Sequence, residues 1–90
     1  LKGSKNNKGI LVCGTGQGMS IQANRFAGIR CALCWNKQVA RKAREHLDAN
    51  VISLPGKYIG IDTAKDIINS WLNAKPLQEE KYKRRIRKLG

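Results

Sequence analysis

The sequence has no long hydrophobic run. The longest apolar stretches, at residues 10–13 and 31–35, fall far short of the roughly 18 residues that a membrane helix needs, and the amino terminus has no apolar signal core. We therefore expect an unexported, cytoplasmic protein with no membrane partner. A chain of 90 residues also has side chains for only one core, which excludes a multidomain enzyme.

Cysteine is too scarce for a disulfide framework. The three cysteines, Cys13, Cys31 and Cys34, are an odd number and do not lie in a loop-rich pattern. Cys31 and Cys34 have the spacing of a zinc knuckle, but they lie in a strand-like run, where an offset of three turns side chains to opposite faces. With one histidine in the chain, small buried hydrophobic side chains are the simpler interpretation of this pair.

Acidic residues are also scarce. Six Asp and Glu stand against 18 Lys and Arg, which gives a net charge of +12. The excess lies toward the two ends, at residues 1–9 and 75–90. Basic ends attract RNA, acidic proteins or anionic metabolites at long range, and the charge alone leaves these partners open. Any contact with nucleic acid is expected to be non-specific.

The middle of the chain alternates short apolar runs with amphipathic segments. The pattern predicts strands at 10–13, 29–34 and 51–54, and helices at 19–26, at 37–47 after an Asn36 cap, and at 62–74 with Asp62 as the cap. The continuous apolar run at 10–13 is typical of a strand buried on both faces. The order βαβαβα predicts an α/β fold with a parallel sheet and right-handed crossovers.

Three regions follow from this pattern. Residues 1–9 are predicted to be a flexible basic lead-in, 10–74 the α/β core, and 75–90 a basic C-terminal helix or tail. The last helix is predicted at 79–89, with few apolar residues to dock it. A sheet of three strands leaves two edges unpaired, so we expect a second copy or another chain to complete it.

A glycine-rich loop follows the first predicted strand. Gly14, Gly16 and Gly18 lie between a strand and a helix, where successive backbone N–H groups can point into one concavity and hold an anion. The spacing fits neither the dinucleotide fingerprint nor a P-loop. Anion binding and a plain tight turn both remain open. The chemistry of a parallel sheet lies at the carboxyl ends of its strands, which is where this loop falls.

Cys13 and His46 are the candidate reactive side chains. Cys13 ends the strand at the mouth of the loop, where a helix N-terminus favours a thiolate that could serve as base or nucleophile. Thr15 offers a hydroxyl beside it. A packed strand cysteine is the simpler alternative for Cys13. His46 lies near the end of a helix, where a lone histidine is usually a surface or packing residue.

Two longer segments resemble a known family. The run Cys-Gly-Thr-Gly-Gln-Gly-Met-Ser, which begins at Cys13, and the segment Arg-Glu-His-Leu-Asp-Ala-Asn, which begins at Arg44, look like the C-terminal part of ribose-5-phosphate isomerase B. That family also includes the galactose-6-phosphate isomerase subunits. The similarity extends over residues 9–89 and is far more specific than a bare glycine loop.

The resemblance implies a three-layer Rossmann-like fold in partial form, and a dimer with active sites at the subunit interface. It implies interconversion of an aldose phosphate and a ketose phosphate, of the ribose 5-phosphate type, without a metal or cofactor. Cys13 would move the proton between C1 and C2. Thr15 and the amides of Gly14, Gly16 and Gly18 would stabilise the enediolate, which needs preorganised donors.

The resemblance also implies roles for residues in the second half of the chain. His46 would assist opening of the sugar ring. Lys81 and Arg85 fall, one helical turn apart, where the family has two phosphate-binding arginines. A lysine still attracts phosphate, but it lacks the bidentate fork of arginine.

The chain departs from the family pattern in three ways. The family has two further strand-helix units, including an Asp-His pair for the substrate, before this segment. An asparagine that contacts substrate is Leu47 here, and the family's Gly-Gly-Arg-His is Glu79-Glu80-Lys81-Tyr82. Two hypotheses follow: the C-terminal portion of a sugar-phosphate isomerase completed by another chain, or an isomerase-derived scaffold, natural or engineered, that binds or assembles without catalysis.

Overall fold

A parallel sheet of three strands carries four helices in the computed structural model, which describes residues 7–88. The strands are β1 (Gly9–Cys13), β2 (Cys31–Leu33) and β3 (Val51–Pro55), and the helices are α1 (Gln17–Ala23), α2 (Lys37–Leu47), α3 (Ile61–Asn73) and α4 (Glu80–Lys88). The predicted α/β order is confirmed. Of the lead-in predicted at 1–9, the first six residues lie outside the described part of the chain.

The sheet has the order β1-β3-β2, so β3 is central and the other two strands are its edges. Both pairings are parallel. Right-handed crossovers put α1 on one face of the sheet and α2 with α3 on the other, which gives three layers. The carboxyl ends of β1 and β3 therefore lie side by side at one end of the sheet, where Cys13 pairs with Pro55.

The core lies between β3 and the helices α2 and α3. All five residues of β3 are buried, and Ile52 and Leu54 pack against Ala40, Ile67 and Trp71. The indole Nε1 of Trp71 donates to the carbonyl of Ala49 at 3.0 Å, which satisfies the polar atom of this fully buried side chain. This core holds α2 and α3 on one face of the sheet.

The first strand is not buried on both faces, as its apolar sequence predicts. Ile10 is 44% exposed and Val12 60% exposed. The two residues pair with Ile52 and Leu54 and therefore share their face, but the helices α2 and α3 pack over β3 and leave β1 uncovered. This apolar edge of the sheet has room for another chain.

The first crossover is shorter than predicted. Helix α1 ends at Ala23 rather than at residue 26, because the side chain of Asn24 bonds to both backbone groups of Cys31. Phe26, predicted to lie on the apolar stripe of this helix, is 60% exposed. The second strand is likewise short, so Cys34 lies just after β2 and not within it.

The helix caps agree with the sequence at α2 and differ at α3. The Asn36 side chain accepts from the Val39 amide at 2.8 Å, as predicted for a cap. Helix α3 begins two residues earlier than predicted, since Gly60 is its cap and Asp62 lies in its first turn. A carboxylate there still favours the helix through its dipole.

Helix α4 is the least embedded element. Tyr82 and Ile86 are its half-buried residues and the other described side chains are exposed. The connector before it is tied to α2 by a hydrogen bond from the Leu77 amide to the Glu45 carbonyl at 2.8 Å. Leu89, the last residue of the predicted helix, lies outside the described residues. Within residues 7–88, no helix is long and apolar enough to cross a membrane.

Candidate active site

The carboxyl end of β1 leads directly into the glycine loop. Cys13 is the last residue of the strand, and its Sγ accepts a hydrogen bond from the Gly16 amide at 3.0 Å. The Cys13 side chain is partly exposed rather than packed in the core. The loop therefore curls back over the Cys13 side chain and points a backbone donor at its sulfur.

Gly16 is the residue that gives the loop its shape. Its φ of 80° is in the left-handed region, and it caps α1. A Cβ here would lie 2.3 Å from Cδ1 of Leu33. Its carbonyl accepts from the hydroxyls of Ser20 at 2.8 Å and Ser53 at 2.6 Å, and the Ser53 side chain is buried. Only glycine meets both the backbone and the space requirement at this position.

Thr15 and Gly18 lie on the solvent side of the loop. Both are exposed, and Oγ1 of Thr15 accepts from the Gln17 amide at 3.3 Å. The hydroxyl hydrogen of Thr15 can still be donated to a bound oxyanion. A Cβ on Gly18 would have no heavy atom within 4 Å, so this stretch of backbone is open to a ligand.

Lys57 is a site residue that sequence reasoning missed. Its amide donates to the Gly14 carbonyl at 3.0 Å, and its side chain lies along Gly14, where a Cβ would meet Cε at 3.3 Å. Because β3 and β1 pair in parallel, the residues after β3 return to the glycine loop. The sheet order was needed to find this cation, since nothing in the local sequence around Lys57 separates it from the other lysines.

The other two cysteines lie away from the loop opening. Burial raises the pKa of the Cys34 thiol to about 12, with a smaller contribution from the charge of Cys31. Burial also raises the pKa of Cys31, against an opposing hydrogen bond with Ser20. Both thiols are therefore held in the neutral form, as the packing interpretation of this pair predicts.

His46 lies in a second cluster, on the last turn of α2. Its imidazole stacks on the ring of Tyr82, with centroids 4.7 Å apart and planes 17° from parallel. Lys81 Nζ lies 4.9 Å and Arg85 Cζ 5.6 Å from the centroid of the same ring. The structure thus brings together the three residues of the second half for which the resemblance implied a role, and adds Tyr82. We call these four residues the His46 cluster.

The chain turns sharply just after His46, at the end of α2. Asp48 caps α2 in the left-handed region, with a φ of 48°, and its carboxylate forms ion pairs with Arg44 and Arg30. Arg30 immediately precedes β2, and its Nε also donates to the Asp48 carbonyl at 3.0 Å. The end of α2 is therefore fixed beside the amino end of the sheet.

The glycine loop and the His46 cluster lie at opposite ends of the strands. The loop is at the carboxyl ends and the cluster is at the amino ends. Cys13 pairs with Pro55 at the carboxyl end of β3, whereas His46 precedes Val51, which begins β3. Four residue steps along β3, at about 3.3 Å each, separate these two ends by about 13 Å. Within one chain, Cys13 and His46 therefore lie toward opposite ends of the strands.

A cleft of about 260 Å³ lies beside β2 and contains neither the glycine loop nor a member of the His46 cluster. It is lined by Asn24, Ile29, Arg30, Cys31, Ala32, Leu47 and Ala49. Its polar side chains already have partners, since Asn24 bonds to the Cys31 backbone and Arg30 to Asp48. We therefore base the candidate site on the glycine loop and the His46 cluster. Across residues 7–88, no group of three or more His, Cys, Asp and Glu side chains could hold a metal ion.

Comparisons with known proteins match this chain over nearly its whole length. The family model for Ribose/Galactose Isomerase matches residues 1–89. Ribose-5-phosphate isomerase B of Escherichia coli is 44% identical over 72 residues, which are 80% of this chain and 48% of that protein. D-erythrulose-4-phosphate isomerase of Pectobacterium atrosepticum is 47% identical over 74 residues, which are 82% of this chain and 49% of that one.

The fold is also similar to that of a solved structure. Ribose 5-phosphate isomerase B from Anaplasma phagocytophilum superposes with a TM-score of 0.92 at 42% identity, covering 97% of this chain and 59% of that one. The Rossmann-like fold implied by the resemblance is confirmed. The chain spans about half the length of the curated relatives it matches.

Proposed function

Because the chain belongs to the ribose/galactose isomerase family, we propose that it forms the C-terminal portion of an aldose-ketose isomerase that acts on a sugar phosphate. The observation that carries this proposal is the Cys13 thiol at the end of β1, with the Gly16 amide donating to its sulfur. The substrate class is proposed from the relatives, which are isomerases of ribose 5-phosphate and D-erythrulose 4-phosphate.

Cys13 is the proposed base. Its thiolate removes the proton from C2 of the open-chain aldose, which leaves an enediolate and a neutral thiol. The thiol then returns the proton to C1, while the proton of the C2 hydroxyl moves to the C1 oxygen. These two transfers convert the aldose into the ketose with no change in atoms or charge. The partial exposure of Cys13 allows a substrate to reach the sulfur.

Groups around the loop are proposed to stabilise the enediolate. Thr15 can donate its hydroxyl hydrogen, and the backbone at Gly18 is open enough for close approach of an oxyanion. Lys57, whose side chain lies along Gly14, adds positive charge at the same place. The amides of Gly16 and Gln17 already donate to loop side chains, so they act by fixing those side chains.

The His46 cluster is proposed to serve the glycine loop of a second copy. His46 would assist ring opening, and Lys81 and Arg85 would bind the phosphate. The placement of the two clusters at opposite ends of the strands supports a site shared between copies, in which the glycine loop of one copy faces the His46 cluster of the other. A homo-oligomer, with a dimer as its smallest form, is the proposed assembly.

A non-catalytic scaffold is the second candidate function. It is favoured by Leu47, which is 37% exposed next to His46 where the family has an amide that contacts substrate. In that case the isomerase fold would be retained for assembly, with polyanion binding through the basic ends.

Deuterium incorporation into the product distinguishes the isomerase proposal from the scaffold proposal. The chain is incubated with ribose 5-phosphate in D₂O, alone and with the N-terminal half of the Escherichia coli relative as a separate polypeptide, and ribulose 5-phosphate is detected by NMR. The isomerase proposal predicts product that carries deuterium at C1, its loss in Cys13→Ser, and its retention in the matched control Cys31→Ser. No product in either setting favours the scaffold.

A further inference from the structure

Tyr82 contacts three groups of the candidate site at once. Its ring stacks on the His46 imidazole at 4.7 Å, and the cationic ends of Lys81 and Arg85 lie 4.9 Å and 5.6 Å from its centroid. These separations are in the ranges for aromatic stacking and for cation-π interactions. Glu79 adds a negative charge at the margin of the group, where its Oε2 lies 3.9 Å from Lys81 Nζ in a loose, exposed pair.

We propose that Tyr82 is a positioning residue, which fixes the plane of the His46 imidazole and holds the Lys81 and Arg85 cations beside it for a phosphate group. This inference rests on the function proposed above. Tyr82 and His46 are half-buried, whereas Lys81 and Arg85 are exposed. Long exposed side chains lose much rotamer freedom when they bind, so a ring that already orients them lowers the entropy that phosphate binding must overcome.

A purely structural role for Tyr82 makes a different prediction. Tyr82 and Ile86 are the half-buried residues of α4, so either one could simply dock this helix on α2. Loss of docking alone would therefore be reproduced by Ile86→Ala, which leaves the aromatic ring in place. Loss of positioning would be specific to the ring and would be rescued by Tyr82→Phe, which keeps the π face.

His46 is the only histidine in the chain, so its imidazole signals can be assigned without ambiguity. In the wild-type 90-residue chain we expect NOEs between the His46 and Tyr82 rings, and a shift of the His46 resonances on titration with inorganic phosphate. Tyr82→Leu should move the ligand-free His46 resonances and weaken phosphate binding about two- to fivefold for each cation-π interaction that the substitution removes. Tyr82→Phe should restore both, and Ile86→Ala should leave both near wild type.

Several results would overturn the inference. These are the absence of NOEs between the two rings in wild type, a His46 signal that ignores phosphate, or equal effects of Ile86→Ala and Tyr82→Leu. The isomerase proposal is tested separately by product formation. An intact stack with the phosphate response but without isomerisation contradicts that proposal alone, and isomerisation that Tyr82→Leu leaves unchanged, with unchanged His46 signals, contradicts the positioning role alone.

Discussion

At the scale of single residues, the three cysteines differ in expected reactivity, because Cys34 is buried while Cys13 and Cys31 are half-buried, and burial raises the thiol pKa of Cys31 and Cys34. Iodoacetamide should modify Cys13 first, at a rate that rises with pH, because the thiolate is the reactive form. Cys34 is buried with a pKa raised to about 12, and burial raises the pKa of Cys31. Mass spectrometry of tryptic peptides measures the order of labelling.

The control for this experiment is Cys13→Ser, in which early labelling should disappear without a change in the far-UV CD spectrum. Labelling of Cys34 before Cys13 would contradict the assignment of Cys13 as the accessible thiol. An unreactive Cys13 would also remove the chemical basis of the proposed proton transfer.

Gly16→Ala should destabilise the fold by about 1–3 kcal/mol. The substitution places a Cβ on a residue with a φ of 80°, only 2.3 Å from Leu33 Cδ1 and 3.3 Å from the Leu54 backbone. Gly18→Ala is the matched control, since its Cβ would meet nothing within 4 Å and it lies in α1. Urea unfolding followed by tryptophan fluorescence compares the two, and equal midpoints would contradict the account of Gly16.

At the scale of elements, Asn36 determines where α2 begins. Asn36→Ala removes the side-chain oxygen that accepts from the Val39 amide and should lower the free energy of unfolding by about 1 kcal/mol. The neighbouring exposed residue Gln38 offers the control, because Gln38→Ala keeps the cap. Thermal unfolding monitored by CD should separate the two variants. A loss in Gln38→Ala as large as that in Asn36→Ala would argue against the cap.

The order of the elements could be predicted from the sequence because apolar runs and helical stripes are local patterns. Their ends were predicted less well where a distant contact decides them. Helix α1 stops early because the Asn24 side chain bonds to the backbone of Cys31 at the start of β2, and no local signal distinguishes that asparagine from a helical one. The cap of α3 was assigned to Asp62 because carboxylates cap helices well, yet the backbone turns at Gly60.

The candidate site was predictable in the same uneven way. Cys13 and the glycine loop are contiguous in sequence, so their proximity followed directly. Lys57 and Tyr82 joined the site only through strand pairing and helix packing. The placement of the two clusters at opposite ends of the strands follows from the predicted parallel order, because a crossover helix ends beside the amino end of the strand that it precedes.

At the scale of the whole molecule, the uncovered face of β1 predicts association. Ile10 and Val12 expose apolar surface on an edge strand with unpaired backbone groups. Sedimentation at micromolar concentration should show species larger than a monomer, and Val12→Lys should shift them toward the monomer. Ile61→Lys, at a site 75% exposed on α3, is the control that should not. A compact wild-type monomer that unfolds cooperatively would contradict this prediction.

The most direct test of the central claim, a site shared between two copies, is a mixing experiment. Cys13→Ser and His46→Ala are each assayed for conversion of ribose 5-phosphate, with the N-terminal half of the Escherichia coli relative present, first separately and then after mixing. Each variant alone should be inactive, because every site in its assembly lacks the same side chain, Cys13 in one variant and His46 in the other. The mixture should regain part of the wild-type activity, because a mixed assembly contains one site with both Cys13 and His46. A mixture as inactive as its components, with mixed assemblies demonstrated by mass spectrometry, would contradict the shared site.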